Sequence, residues 1–167
     1  NTISHFPNFS AMRLAERLGG EACVLHTPAL CASAQEYRLL STGEATRAAL
    51  QLAEHADILL LGIGALADSV SPQYGVFTPA DIAALKAKKA IGDVALQYLD
   101  EDGRPVDIET TRRLIKADIC KASANARISI GIAAGLPKVH TIDAALKLRL
   151  VNALFTNEET ALALLDL

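Results

Sequence analysis

The residues best placed to do chemistry lie in one stretch, Ile128 to Leu146. An apolar run with strand character, Ile128-Ser129-Ile130-Gly131-Ile132, empties into Ala133-Ala134-Gly135. A helical pattern then begins with Pro137 in its first turn and Lys138 beside it. Backbone amides at a helix start have no intrahelical partner, the helix dipole places partial positive charge there, and Lys138 adds a full one. A lysine in a first helical turn runs against the usual preference for acids, so a bound anion is the economical reading, ahead of a solvated helix lysine. A second apolar run, Ile58-Leu59-Leu60-Leu61-Gly62-Ile63-Gly64, also ends in glycine. Gly62, Gly64 and Ala65 therefore form a second turn that a ligand could approach, or only a tight turn.

Asp93 stands inside the apolar stretch Ala90-Ile91-Gly92-Asp93-Val94-Ala95. Burying a carboxylate costs several kcal/mol unless partners satisfy it, so Asp93 either shapes a turn or faces a polar pocket. In a pocket it would accept hydrogen bonds from sugar hydroxyls. His26 and His140 have no nucleophile or carboxylate at a telling spacing and read as packing or surface residues. Asp100-Glu101-Asp102 lacks calcium-loop spacing, and no metal site or catalytic residue is expected. Cys23, Cys31 and Cys120 are odd in number and far apart, so they read as reduced, mostly buried thiols.

The elements that position these residues follow from the remaining pattern. Asn8 is a candidate cap for a helix ending at Gly19-Gly20, and a short strand is predicted over Ala22 to His26. Ser33 to His55 reads as two helices broken near Ser41-Thr42-Gly43, the second rich in alanine and suited to packing on a sheet. The continuous apolar run from Ile58 predicts a central parallel strand covered on both faces. A loop from Ala65 to Phe77 precedes a helix capped by Thr78, with Pro79 at its first position and Asp81 complementing the dipole. Ala90 to Leu99 reads as a strand, and Asp100 to Pro105 turns it into a second extended piece through Val106 and Ile108, an appended antiparallel hairpin. Asp107 to Ala126 is poorly periodic. Leu150 to Phe155 is a last strand, and a helix capped around Thr156 to Glu159 closes the chain. This order predicts a doubly wound α/β domain with a mostly parallel sheet and helices on both faces. Ligands then bind beyond the carboxyl ends of the strands, which selects Gly62 to Ala65 together with Gly131 to Lys138.

A chain of 167 residues, 51% hydrophobic and 21% charged, suits one domain spanning residues 1–167. The net charge of -3 offers no overall attraction to nucleic acid. No run is long enough for a membrane span and the N-terminus is not signal-like, so a cytoplasmic protein without membrane partners is expected. The abrupt start at Asn1, without Met, suggests a piece of a longer protein.

Six segments, in order, resemble the effector-sensing, sugar-binding domain of SorC/DeoR-type bacterial transcriptional regulators. They are Arg13 to Gly19, Ala56 to Gly64, Ala90 to Val94, Asp102 to Val106, Ala133 to Lys138 with Ile142, and Leu150 to Thr156. The resemblance covers the chain from about Ser10 onward. It implies a Rossmann-like fold related to sugar-phosphate isomerases and deaminases but without catalysis or cofactor, binding a phosphorylated sugar as inducer. It further implies a helix-turn-helix DNA-binding domain outside this chain and a homo-oligomer, dimer or tetramer. Gly92-Asp93 and Lys138 match the positions that line the effector site in the family, with the lysine near the phosphate, and Gly62, Gly64, Ala65 and Gly135 complete the expected set. One departure is Leu136, where the family usually carries a second glycine. The alternatives are an isomerase or deaminase of the same fold, and an oligomerisation module.

Overall fold

The computed structural model describes residues 7–66 and 77–167. The segment before Pro7, and all but the ends of the loop expected from Ala65 to Phe77, lie outside the described residues. The fold is mixed α/β, built on one five-stranded open sheet of order β3-β2-β1-β4-β5. In chain order the elements are α1 (Pro7–Leu18), α2 (Ala34–Ser41), α3 (Glu44–Glu54), β1 (Ile58–Ala65), α4 (Pro79–Ala87), β2 (Gly92–Val94) and β3 (Gln97–Leu99). They continue with α5 (Ile119–Asn125), β4 (Ile128–Ile132), α6 (Val139–Lys147), β5 (Ala153–Phe155) and α7 (Glu158–Leu165). Short 3-10 turns at Thr111–Arg113 and Leu136–Lys138 precede α5 and α6.

Local chemistry explains most boundaries. Gly19, at φ +69°, ends α1 in the left-handed conformation. Ser33 caps α2 by accepting the Glu36 N–H at 3.1 Å. Thr78 and Asp81 form a reciprocal capping box around Pro79 at the start of α4. Asn157 caps α7 by accepting the Thr160 N–H at 3.2 Å.

β1 is the middle strand, parallel to β4, which is parallel to β5; β2 and β3 run antiparallel on the other side. Leu59, Leu61 and Ile63 point into a core closed by Ile119 and Ala122 of α5 and by Ile142 and Ala145 of α6. The opposite face does not meet the expectation of cover on both sides. Among the described residues Ile58 and Leu60 remain 51% and 49% exposed, and Ile132 and Phe155 on the same face remain 48% and 73% exposed. The strand therefore alternates between buried and open positions despite its unbroken apolar sequence.

Other expectations fail for identifiable reasons. Asn8 lies inside α1, and its side-chain amide donates to the Leu25 carbonyl at 3.2 Å instead of capping the helix. Ala22 to His26 forms no strand, because no described strand pairs with it. The alanines of α3 are not packed on the sheet: α3 lies against α5 and α2, and Ala45, Ala48 and Ala53 are exposed. Cys23 and Cys120 are exposed, and only Cys31 is buried; all three are free. Ala90 to Leu99 splits into β2 and β3 around a two-residue turn, Ala95-Leu96, in which both residues are left-handed.

Candidate functional site

The antiparallel register of β1 and β2 sets Asp93 directly opposite Gly64. Opposed residues in such a pair project to the same face, and glycine leaves that space empty. The Asp93 carboxylate fills it: a Cβ built on Gly64 would stand 2.5 Å from Asp93 Oδ1. The other oxygen, Oδ2, accepts the Leu96 N–H at 2.9 Å. Burial pushes the Asp93 carboxyl above the ordinary carboxylate range, opposed by that hydrogen bond and by the positive charges of Lys116 and Lys138. The start of α6 and the end of β1 are neighbours, since α6 and the turn before it pack against β1.

Close packing brings them together. Gly92 lies so near α6 that a Cβ there would stand 2.3 Å from Thr141 Oγ1 and 2.1 Å from the Gly64 carbonyl oxygen. Gly135, at φ +115°, turns the chain out of β4, and its N–H donates to Thr160 Oγ1 of α7 at 2.8 Å. Lys138, half-buried, takes the N-cap position of α6 with its own N–H bonded to the Gly135 carbonyl at 3.0 Å. Leu136 is half exposed beside it. Gly64, Asp93 and Lys138 therefore converge. Gly62 contributes its carbonyl, which accepts the Ala95 N–H at 3.2 Å, and open space where a side chain would be. Ala65 is 2% exposed and pairs with Gly92 of β2, so its side chain belongs to the core. His26 and His140 are exposed.

Sequence reasoning missed Lys116. Its ammonium donates to the Leu96 carbonyl at 3.2 Å and to Gln97 Oε1 at 2.7 Å. Burial lowers its pKa from the ordinary lysine value, opposed by Asp107, Asp93, Asp118 and Cys120. The sequence offered no clear signal for it, because Lys116 follows Arg112 and Arg113 and precedes Asp118 in a charged, poorly periodic stretch. Lys116 and Gln97 also line a polar cavity of about 590 Å³ with Asp107, Arg112 and Asp118. A second, more apolar cavity of about 750 Å³ lies at the amino end of β5, lined by Leu148, Arg149, Leu150 and Asn152. Among the described residues no group of three or more His, Cys, Asp or Glu side chains could hold a metal ion, and no helix is long and apolar enough to cross a membrane.

Residues 3–166 match the family described as "Putative sugar-binding domain". The transcriptional regulator LsrR of Klebsiella pneumoniae subsp. pneumoniae is 30% identical over 148 residues, 86% of this chain and 46% of the relative. The erythritol catabolism regulatory protein EryD of Brucella abortus is 26% identical over 154 residues, 92% of this chain and 48% of the relative. The chain thus spans about half the length of the curated relatives it matches. The crystal structure of the full-length sorbitol operon regulator SorC from Klebsiella pneumoniae matches with a TM-score of 0.85 at 29% identity, over 95% of this chain and 50% of that one. A DeoR family transcriptional regulator from Listeria monocytogenes matches in fold with a TM-score of 0.88 at 21% identity, over 94% of this chain and 64% of that one. A family match along nearly the whole length and a shared fold lead to one conclusion: the chain belongs to the sugar-binding domain family of SorC/DeoR-type transcriptional regulators.

Proposed function

We propose that this chain is the effector-sensing domain of a sugar-responsive transcriptional regulator and binds a phosphorylated sugar without turning it over. The site is the carboxyl end of β1 and β4, with Gly62, Gly64, Ala65, Asp93, Gly135 and Lys138. The observation that carries this reading is the Asp93 carboxylate held over Gly64 within the field of Lys138 at the start of α6. An acceptor of hydroxyl protons then stands near a cation and a helix start, the complement of a polyol that ends in phosphate. The names of relatives, which speak of sorbitol and erythritol, support a polyhydroxylated ligand.

The reading extends to the rest of the protein. A helix-turn-helix domain outside this chain binds DNA, the sheet is a Rossmann-like arrangement completed by an antiparallel hairpin, and the regulator acts in the cytoplasm as a dimer or tetramer. Ligand binding changes its output by favouring one arrangement of the oligomer over another, an effect limited by the difference in affinity for the two. Leu136, half exposed beside Lys138 where the family pattern carries a glycine, adds a side chain at the phosphate end of the proposed site.

Thermal denaturation with the monophosphates of glucose, ribose, sorbitol and erythritol tests the reading. A ligand at about 100 times its Kd adds about 2.7 kcal/mol, which raises Tm by roughly 5–10 °C in a domain of this size. No shift with any phosphate at millimolar concentration sinks it. Lys138→Ala is expected to weaken a phosphorylated ligand by about 10- to 100-fold and its unphosphorylated analogue by less than about threefold. Equal losses would remove the phosphate from Lys138.

A further inference from the structure

The turn between β2 and β3 has an unusual composition. A two-residue hairpin with both residues left-handed normally carries Asn-Gly or Asp-Gly, because a Cβ is disfavoured there. Here it is Ala95-Leu96, at φ +48° and +69°. Neither side chain can make the local hydrogen bond that Asn or Asp would, so tertiary contacts hold it, beginning with the Leu96 side chain, which packs against the core cluster of Leu66, Phe77 and Leu85. The Ala95 N–H donates to the Gly62 carbonyl, the Leu96 N–H to Asp93 Oδ2, and the Leu96 carbonyl accepts from Lys116 Nζ. Lys116 is carried on a segment anchored by Leu114 and Ile115, which are 3% and 4% exposed, and its second acceptor is Gln97 Oε1 at the start of β3. Leu96 is therefore gripped through both its backbone N–H and its carbonyl, by the carboxylate of the proposed site on one side and by a half-buried ammonium on the other.

We propose that Lys116 is a positioning residue of the effector site: by holding the Ala95-Leu96 turn against β1 it fixes the Asp93 carboxylate over Gly64, ready for the hydroxyls of the effector. This rests on the reading of Asp93 as an effector-binding group. Strained backbone next to a binding residue is the arrangement expected where the surrounding structure maintains a preorganised site. The charges involved are few. Lys116 and Lys138 act on Asp93, while Asp107, Asp93, Asp118 and Cys120 act on Lys116. Burial disfavours the charged form of both Asp93 and Lys116, and each is favoured in that form by the other. Removing the Lys116 ammonium then raises the pH at which Asp93 takes up a proton. A sugar that needs the ionised carboxylate would release at correspondingly higher pH.

The test compares wild type, Lys116→Met, Lys116→Arg, and Lys116→Met combined with Ala95→Gly, which relaxes the turn while keeping the Leu96 side chain packed in the core. Affinity for the sugar monophosphates above is measured from acid to neutral pH, and the Asp93 carboxyl is titrated by carbon NMR in the ligand-free protein. Lys116→Met should lose about tenfold or more in affinity, the acid fall-off of binding should move to higher pH, and the ligand-free Asp93 midpoint should move with it. Arginine should restore all three. The relaxed turn should recover affinity at neutral pH while the shifted midpoint remains, which also covers the case in which Lys116→Met alone fails to fold. A uniform loss of affinity with an unmoved Asp93 midpoint, or no loss at all, overturns the proposal. A moved midpoint in a protein that binds none of the phosphates supports the coupling of Lys116 to Asp93 and overturns the effector reading instead.

Discussion

Gly62 and Gly64 sit two apart on one strand and face the same side, yet their environments differ. A Cβ at Gly62 would meet nothing within 4 Å, whereas one at Gly64 would collide with Asp93 Oδ1. Gly62→Ala is accordingly expected to change stability by less than about 1 kcal/mol. Gly64→Ala must displace a carboxylate that is already bonded to the Leu96 N–H, with a cost of about 1–3 kcal/mol and a loss of at least about tenfold in affinity for a sugar phosphate. Thermal denaturation and titration of the two variants check this; equal behaviour would dissociate Gly64 from the site. At this scale the sequence singled out Asp93 and Lys138 as charges in unusual company, and both side chains are partly buried. It did not mark Lys116, which stands among Arg112, Arg113 and Asp118 in a stretch of weak periodicity where one more charge does not stand out.

Among the elements, β1 is the clearest example of pattern and burial parting ways. Its run of isoleucine and leucine identifies a strand in the middle of a sheet, but apolar content cannot say which face is covered. Leu61 is 7% exposed beneath α5 and α6, while Leu60 is 49% exposed on the opposite face. Leu61→Ala is expected to cost about 2–5 kcal/mol and Leu60→Ala less than about 1.5 kcal/mol in denaturant unfolding. Similar costs would mean that the open face is packed. The split of Ala90 to Leu99 has a comparable origin. No residue there breaks a strand by its own chemistry, and the turn exists because Gly62, Asp93 and Lys116 supply its hydrogen bonds. The helix starts at Ser33, Thr78 and Asn157 were legible because each cap is a bond between residues three apart in sequence.

For the whole molecule, the site works against stability. Folding raises the Asp93 pKa, so the folded state binds that proton more tightly than the unfolded one. Stability from this group therefore declines as pH rises from the ordinary carboxylate range through the raised value, and the cost is fully present above it. Asp93→Asn keeps an oxygen for the Leu96 N–H and removes the charge. It is expected to raise Tm at neutral pH, with the gain disappearing as pH falls into the ordinary carboxylate range, even as ligand binding is lost. A Tm unchanged or lowered at neutral pH would show that the charge is better satisfied than its surroundings suggest. Lys116 acts in the mirror sense, since folding lowers its pKa: its cost is present below the lowered value and fades as pH rises toward the ordinary lysine value.

The sequence by itself determined the α/β class, the central apolar strand and the helix starts at Thr78 and Asn157, and it singled out Lys138 and Asp93 as charges against apolar neighbours. These follow from local chemistry: periodicity, caps, and charges that stand out against apolar neighbours. Only the tertiary structure decided that one sheet face stays open among the described residues, that Asp93 lies over Gly64, and that Lys116 reaches the same turn from a distant segment. Those depend on register and on hydrogen bonds between residues far apart in the chain. The bond between Lys116 and Leu96 spans twenty positions and leaves no periodic trace.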